Sequence, residues 1–491
     1  MMRQKAFGSV VTLLVALASA HAVDATAYPL STRVSRYYPA VAVGAPGRDV
    51  PGAIDAGAVY VFPDASGYGD MVVDEALVIT RRVLGDEPSD GDRFGASVVL
   101  TDAFGRGPEL VIGAPGADDG AGVVYIIHND VTTGRFDLAH PTVVRQGHDG
   151  APGTAEPDDR FGASLQAVFA RGADAWLAIG APGEDVHAVA DAGAVTGIPF
   201  GNDTDRARVF YQGGLLPGRA EAGDRFGSSL AQFANGVLAG APSEDVWDVP
   251  DAGGVTSFDL YGRVAPHAYR QGLEGVPGGP EPGDRFGAAM VDLDSGAAIG
   301  APGEDIGTVR DAGAVIDLAG PDSSILTTSL WYQGHRGIAG TLEPGDRFGS
   351  ALALGPSGLL ISAPYEDVRD VRDAGVIHFL PYVPGSGRAF SVDADRQIHQ
   401  NTPDVPGAAM AGDRFGSSVG FAGVRAIIGV SGKRGGGQEN AGARVDVAFF
   451  RDGRILDPPA RQTTQVTFGL DPDSDDRFGA AVTSVSTLNG A

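Results

Sequence analysis

Four acidic strings recur along the chain: Gly183-Glu184-Asp185-Val186, Ser243-Glu244-Asp245-Val246, Gly303-Glu304-Asp305-Ile306 and Tyr365-Glu366-Asp367-Val368. Each is followed by a further acid before Ala-Gly, at Asp191, Asp251, Asp311 or Asp373. A second acidic set pairs Glu156 with Asp159, Glu221 with Asp224, Glu281 with Asp284 and Glu343 with Asp346. Clustered carboxylates bind hard cations, attract basic partners or, as pairs ~5–10 Å apart, hydrolyse glycosides. The same short acids also cap tight turns. Glu184, Asp185, Glu244, Asp245, Glu304, Asp305, Glu366 and Asp367 are therefore the candidate binding face. The string Asp471-Pro472-Asp473-Ser474-Asp475-Asp476 places acids at positions 1, 3 and 5 of a calcium loop, which makes Asp471, Asp473 and Asp475 the candidate metal ligands. Asp476, however, stands where such a loop takes glycine.

Other chemistries find less support. Gly416-Ser417-Ser418-Val419-Gly420 matches the nucleophile-elbow string, which needs a strand-to-helix turn that lifts the serine over an oxyanion hole. The sister segment Gly227-Ser228-Ser229-Leu230-Ala231 lacks the closing glycine. Cysteine is absent, which removes disulfides, thiolate catalysis and Cys-ligated metals. His148 and His335 occupy matching places after Gln-Gly, without metal-ligand spacing. No catalytic or cofactor-binding residue is assigned.

The elements that must position these groups are repeats. Asp-Arg-Phe-Gly recurs with its phenylalanine at Phe94, Phe161, Phe226, Phe286, Phe348, Phe415 and Phe478. Gly-Ala-Pro alternates with it, ending at Pro46, Pro115, Pro182, Pro242 and Pro302, then as Ser-Ala-Pro at Pro364 and Gly-Val-Ser at Ser431. Each period holds four strand-like runs: one after Phe-Gly (Ala96 to Leu100), one entering Gly-Ala-Pro (Leu110 to Ile112), one after Asp-Ala-Gly (Ala58 to Phe62) and a polar edge run (Arg208 to Gln212). Four short antiparallel strands repeated seven times predict an all-β, seven-bladed β-propeller. The first segment has Gly-Ala-Pro with no Phe-Gly before it. The last has Phe478-Gly479 with no Gly-Ala-Pro after it, so the two ends are expected to share one blade. The competing arrangement gives the N-terminal blade its own first strand near Leu30.

Arg3, Lys5, the apolar run Ala6 to Ala20 and Ala20-His21-Ala22 fit a secretory signal peptide cut after Ala22. The expected organisation is a signal peptide over 1–22, a lead-in over 23–40 and the propeller over 41–491. A net charge of −26 opposes nucleic acid and anionic membranes as partners. No membrane span is expected after signal cleavage.

These motifs resemble the FG-GAP repeats of integrin α-subunit propellers, in the form found in secreted bacterial proteins, over about Ala42 to Val482. The resemblance implies an innermost Phe-Gly strand, a second Gly-Ala-Pro strand, calcium in the loop between them, and partner contact on the face carrying the acidic strings. The loops depart from the family. Met290-Val291-Asp292-Leu293-Asp294-Ser295-Gly296 and Gln232 to Gly236 offer too few oxygen ligands, and Thr101 to Glu109 and Ala170 to Asp174 read as eroded relics, so calcium is not expected there. The expected function is a secreted, monomeric binding or adhesion module for an extracellular protein or glycan, basic or cation-bridged. No cofactor is required, and Ca2+ is a candidate only at Asp471 to Asp475. The alternative is an extracellular propeller enzyme, a hydrolase or lyase of glycan or lipid.

Overall fold

The structure, a computed structural model, describes residues 39–63, 76–102, 107–130, 132–148, 150–169, 175–200, 206–273, 275–293, 296–319, 327–383, 390–434, 441–448, 461–464 and 475–486. The signal segment, its cleavage site and Leu30 lie outside the described residues, as do Asp471 and Asp473.

Seven four-stranded antiparallel blades form a ring. From inner to outer strand, blade 2 runs Ser97–Thr101, Glu109–Ala114, Val123–Ile127 and Thr142–Val144. Blade 3 runs Ser164–Val168, Trp176–Ala181, Ala194–Pro199 and Arg208–Phe210. Blade 4 runs Ser229–Phe233, Gly236–Ala241, Gly254–Phe258 and His267–Tyr269. Blade 5 runs Ala289–Asp292, Gly296–Ala301, Ala314–Ala319 and Thr327–Trp331. Blade 6 runs Leu352–Gly355, Gly358–Ala363, Val376–Pro381 and Arg396–Ile398. Blade 7 runs Phe415–Ala422, Arg425–Val430, Ala443–Ala448 and Arg461–Thr463. Second strands are buried throughout their length in blades 2 to 6, as expected of a sheet covered on both faces.

Blade 1 is assembled from both ends of the chain. Its inner strand is Ala481–Ser486, followed outward by Pro39–Ala45, Ala58–Pro63 and Leu77–Ile79. The register Val41↔Ser484, Ala42↔Thr483, Val43↔Val482 and Gly44↔Ala481 is the shared closure that the split motif predicts.

The motifs recur because they fasten each blade to the next. All seven motif phenylalanines are fully buried. The amide of each donates to the alanine of the Asp-Ala-Gly turn, or its Gly-Ala-Gly and Asn-Ala-Gly counterparts at Ala121 and Ala441, in the preceding blade: Phe161 to Ala121 at 3.0 Å, Phe226 to Ala192 at 3.0 Å, Phe478 to Ala441 at 3.2 Å. The glycine after that alanine has to be glycine. Gly122 has φ +89°, and a Cβ there would lie 2.2 Å from the Phe161 carbonyl oxygen. The glycine of Gly-Ala-Pro is confined in the same way, since a Cβ on Gly113 would come within 2.1 Å of the Gly162 oxygen of blade 3. Inner-strand serines add a side-chain link, with Ser164 Oγ donating to the Gly227 carbonyl at 2.6 Å and Ser418 Oγ to the Gly479 carbonyl at 2.7 Å. Ser418 thus lies within a strand, not on a turn into a helix, and its hydroxyl is used between blades. No helix among the described residues is long and apolar enough to cross a membrane.

Candidate functional site

The loops after Gly-Ala-Pro and before Phe-Gly meet on one face, and the structure separates their acids into two kinds. Glu244, Glu304 and Glu366 are buried, while Glu184 is half-buried. Each accepts a hydrogen bond from a glutamine just beyond the outer strand of the preceding blade: Gln146 Nε2 to Glu184 Oε2, Gln212 Nε2 to Glu244 Oε2 and Gln271 Nε2 to Glu304 Oε2 at 2.5 Å, and Gln333 Nε2 to Glu366 Oε2 at 2.6 Å. Glutamates expected at the binding face are therefore largely withdrawn into blade junctions, because glutamine amides of the neighbouring blade offer them donors there. A signal for this existed in the sequence: the glutamine precedes the motif aspartate by 12 or 13 residues in every period that carries the glutamate.

The aspartates remain at the surface. Asp185 and Asp245 are exposed, and Asp305 and Asp367 half-buried. Each accepts the backbone N–H six residues on, Asp191 to Asp185 and Asp251 to Asp245 at 3.0 Å, Asp311 to Asp305 and Asp373 to Asp367 at 2.8 Å. Capping of this kind closes the loop and leaves the outer oxygen to solvent. Asp475 is exposed with φ 68°; the other two candidate ligands lie outside the described residues.

Beneath the surface the motif aspartates meet the glutamates. Asp159, Asp224, Asp284 and Asp346 are buried and accept the N–H three residues earlier, from Glu156, Glu221, Glu281 and Glu343. Burial pushes the carboxyls of Asp159 and Asp224 up to about 7, and facing Glu184 and Glu244 reinforce the shift. Burial and the adjacent Glu304 push Asp284 to about 8, and burial raises Glu304 itself to about 7. Burial raises both Asp346 and Glu366, and the facing Glu366 adds to the shift of Asp346.

The third group is the motif arginines. Arg93, Arg160, Arg225, Arg285, Arg347, Arg414 and Arg477 all hold left-handed backbone, with φ between 50° and 58°. A non-glycine residue there costs about 1–2 kcal/mol, which the surrounding blade-to-blade hydrogen bonds offset. The turn sends the aspartate inward and the arginine outward. Neighbours in sequence, the two form no ion pair with each other among the described residues.

Three of these arginines line a cavity of about 370 Å³ across blades 5 to 7, with Pro302, Asp311, Tyr365, Ser417 and Ser431 among its walls. Tyr365 stands where the other acidic strings have glycine or serine, and Ser431 where they have proline. The Tyr365 ring is flanked by two guanidinium groups, Arg347 Cζ at 4.7 Å and Arg414 Cζ at 5.3 Å from its centroid. The cavity therefore lies where the repeat pattern breaks, a coincidence visible only once neighbouring blades are packed. Among the described residues, none of Arg285, Arg347 and Arg414 forms an ion pair with a carboxylate. Guanidinium groups with free donors suit a carboxylate, sulfate or phosphate.

Comparison of the sequence with protein-family models and with curated proteins finds no match.

Proposed function

We propose that this chain is a secreted propeller of the FG-GAP type that binds an anionic group of an extracellular glycan or protein in the cavity between Arg285, Arg347 and Arg414. The observation that carries the reading is the set of three arginines without carboxylate partners, gathered at the one place where Tyr365 and Ser431 depart from the repeat. Its support also includes the split motif, the FG-GAP spacing and the N-terminal segment that reads as a signal peptide. The basic partner expected from acidity alone loses support, because the glutamates that would greet it are bonded to glutamines inside the junctions. Long-range repulsion from a net charge of −26 is screened beyond ~10 Å at 0.1 M salt. Contacts made directly to the guanidinium groups act well inside that distance.

The test is direct binding of the full chain to a panel of polyuronate, sulfated and neutral oligosaccharides, repeated with Arg347→Ala and Arg414→Ala. Acidic members should bind and neutral ones should not. Each arginine replaced should weaken binding by about tenfold or more, the range for a charge-assisted hydrogen bond. Equal retention of neutral ligands, or acidic binding indifferent to both substitutions, would remove this cavity from consideration.

A further inference from the structure

Seven equivalent junctions each bury one motif aspartate: Asp476, Asp92, Asp159, Asp224, Asp284, Asp346 and Asp413 are at most 2% exposed. At three of them a protein cation supplies the balancing charge. Entering blade 7, Lys433 Nζ donates to Asp413 Oδ2 at 2.7 Å, to Gln400 Oε1 at 3.2 Å and to the Ala408 carbonyl at 2.6 Å. Entering blade 2, Arg81 Nη1 donates to Asp92 Oδ2 at 2.7 Å. In blade 1, Arg48 Nη1 lies 3.6 Å from Asp476 Oδ2.

Blades 3 to 6 reverse the sign. The position of Lys433 is taken by Glu184, Glu244, Glu304 or Glu366, so that two acids face each other. At blade 4, Arg270 Nη2 donates to Glu244 Oε1. Blades 3, 5 and 6 have no lysine or arginine on the pair among the described residues. His378 lies near Glu366, but its Nδ1 is held by Asp395 Oδ2 at 2.7 Å. An uncompensated pair of buried charges is costly. The glutamine beside each pair is incompletely used as well: the Oε1 atoms of Gln146, Gln271 and Gln333 are buried without a partner, as is Asp284 Oδ1. In blade 7 the equivalent oxygen, on Gln400, is the one that accepts from the lysine ammonium.

We propose that the junctions entering blades 3, 5 and 6 each bind one divalent cation, Ca2+, at the place filled by the Lys433 ammonium in blade 7. Its ligands are the carboxylates of Asp159 and Glu184, of Asp284 and Glu304, and of Asp346 and Glu366. Oε1 of Gln146, Gln271 or Gln333 joins them after a half-turn of its amide. The charges balance: one acid meets one lysine at blade 7, and two acids meet one divalent ion at the others. All-oxygen ligands of this hardness favour Ca2+ over the transition metals, with backbone carbonyls and water completing the shell. No three His, Cys, Asp or Glu side chains among the described residues form a metal-holding group, so these are mixed carboxylate and amide sites. Small residues roof them. Gly278 is exposed, and a Cβ there would stand 2.7 Å from Gln271 Nε2 and 3.3 Å from Glu304 Oε1.

The experiment uses the full chain, stripped with a chelator and titrated with CaCl2 at pH 7.5 by calorimetry and thermal melting. Binding should approach three ions per chain, with a rise in Tm of several degrees. The triple variant Glu184→Lys, Glu304→Lys and Glu366→Lys, which repeats the blade 7 arrangement, should melt near the Ca2+-loaded parent and no longer respond to Ca2+. Should that variant fail to fold, Glu304→Gln alone should lower the stoichiometry by one. Absence of Ca2+ binding to the stripped parent overturns the proposal. A Ca2+ response that survives the substitutions does so too, by placing the ion elsewhere.

Discussion

The Phe478 amide donates to the Ala441 carbonyl at 3.2 Å, and the Phe478 ring meets Tyr60 edge-on with centroids 4.9 Å apart. The closing segment is thereby fastened to blade 7 on one side and to the N-terminal strands on the other. Phe478→Ala should cost about 3–5 kcal/mol, the range for emptying a fully buried phenylalanine site. Deletion of Asp475 to Ala491 should cost more, since ladder bonds to Val41, Ala42, Val43 and Gly44 go with it. Denaturant unfolding measures both, and a truncated chain as stable as the parent would show that the ends do not hold the ring.

Glycines of the same φ should differ sharply in their tolerance of a methyl group. Gly122 and Gly52 both have φ +89°, yet a Cβ on Gly52 meets nothing within 4 Å while one on Gly122 lies 2.2 Å from a backbone oxygen of the next blade. Gly52→Ala should cost about 1–2 kcal/mol from the left-handed backbone alone. Gly122→Ala should cost several times that, because backbone on both sides must move. Similar losses in the two variants would deny the blade-to-blade contact its importance.

Acidity should stabilise the chelator-treated protein. Carboxyls whose folded values are raised, Asp159 and Asp224 to about 7 and Asp284 to about 8, hold protons that the unfolded chain releases near 4. The folded state therefore binds more protons across that interval, and stability falls as pH rises from about 4 to about 8 and levels off above. Melting temperatures measured from pH 5 to pH 8.5 in chelator should decline over this window. A rise with pH would contradict the burial of these pairs.

Ser418→Ala should behave as a structural change only, losing about 1 kcal/mol with the hydrogen bond to the Gly479 carbonyl. The same loss is expected for Ser164→Ala, whose hydroxyl meets Gly227. Equilibrium unfolding of the two variants side by side checks this. A much larger effect at Ser418 than at Ser164 would set it apart from its sister positions.

The strand pattern of each blade, the number of blades and the sharing of one blade by both ends were all legible in the sequence. Those features rest on local chemistry: alternation within strands, proline ending a ladder, glycine where the backbone turns left-handed, and a count of motifs that closes only if the two half-repeats join. The fate of the acids and arginines was not legible, because it depends on atoms contributed by the neighbouring blade. Glu184 and Asp185 are adjacent in sequence, yet one turns towards Gln146, 38 residues earlier, and the other faces solvent. Arg347 and Arg414 belong to different repeats and meet around Tyr365 only where blades 6 and 7 pack together. Exposure and charge balance are set by what packs against a side chain, and in a propeller that is the next blade, so only the tertiary structure decided which acids are buried and where the free arginines gather.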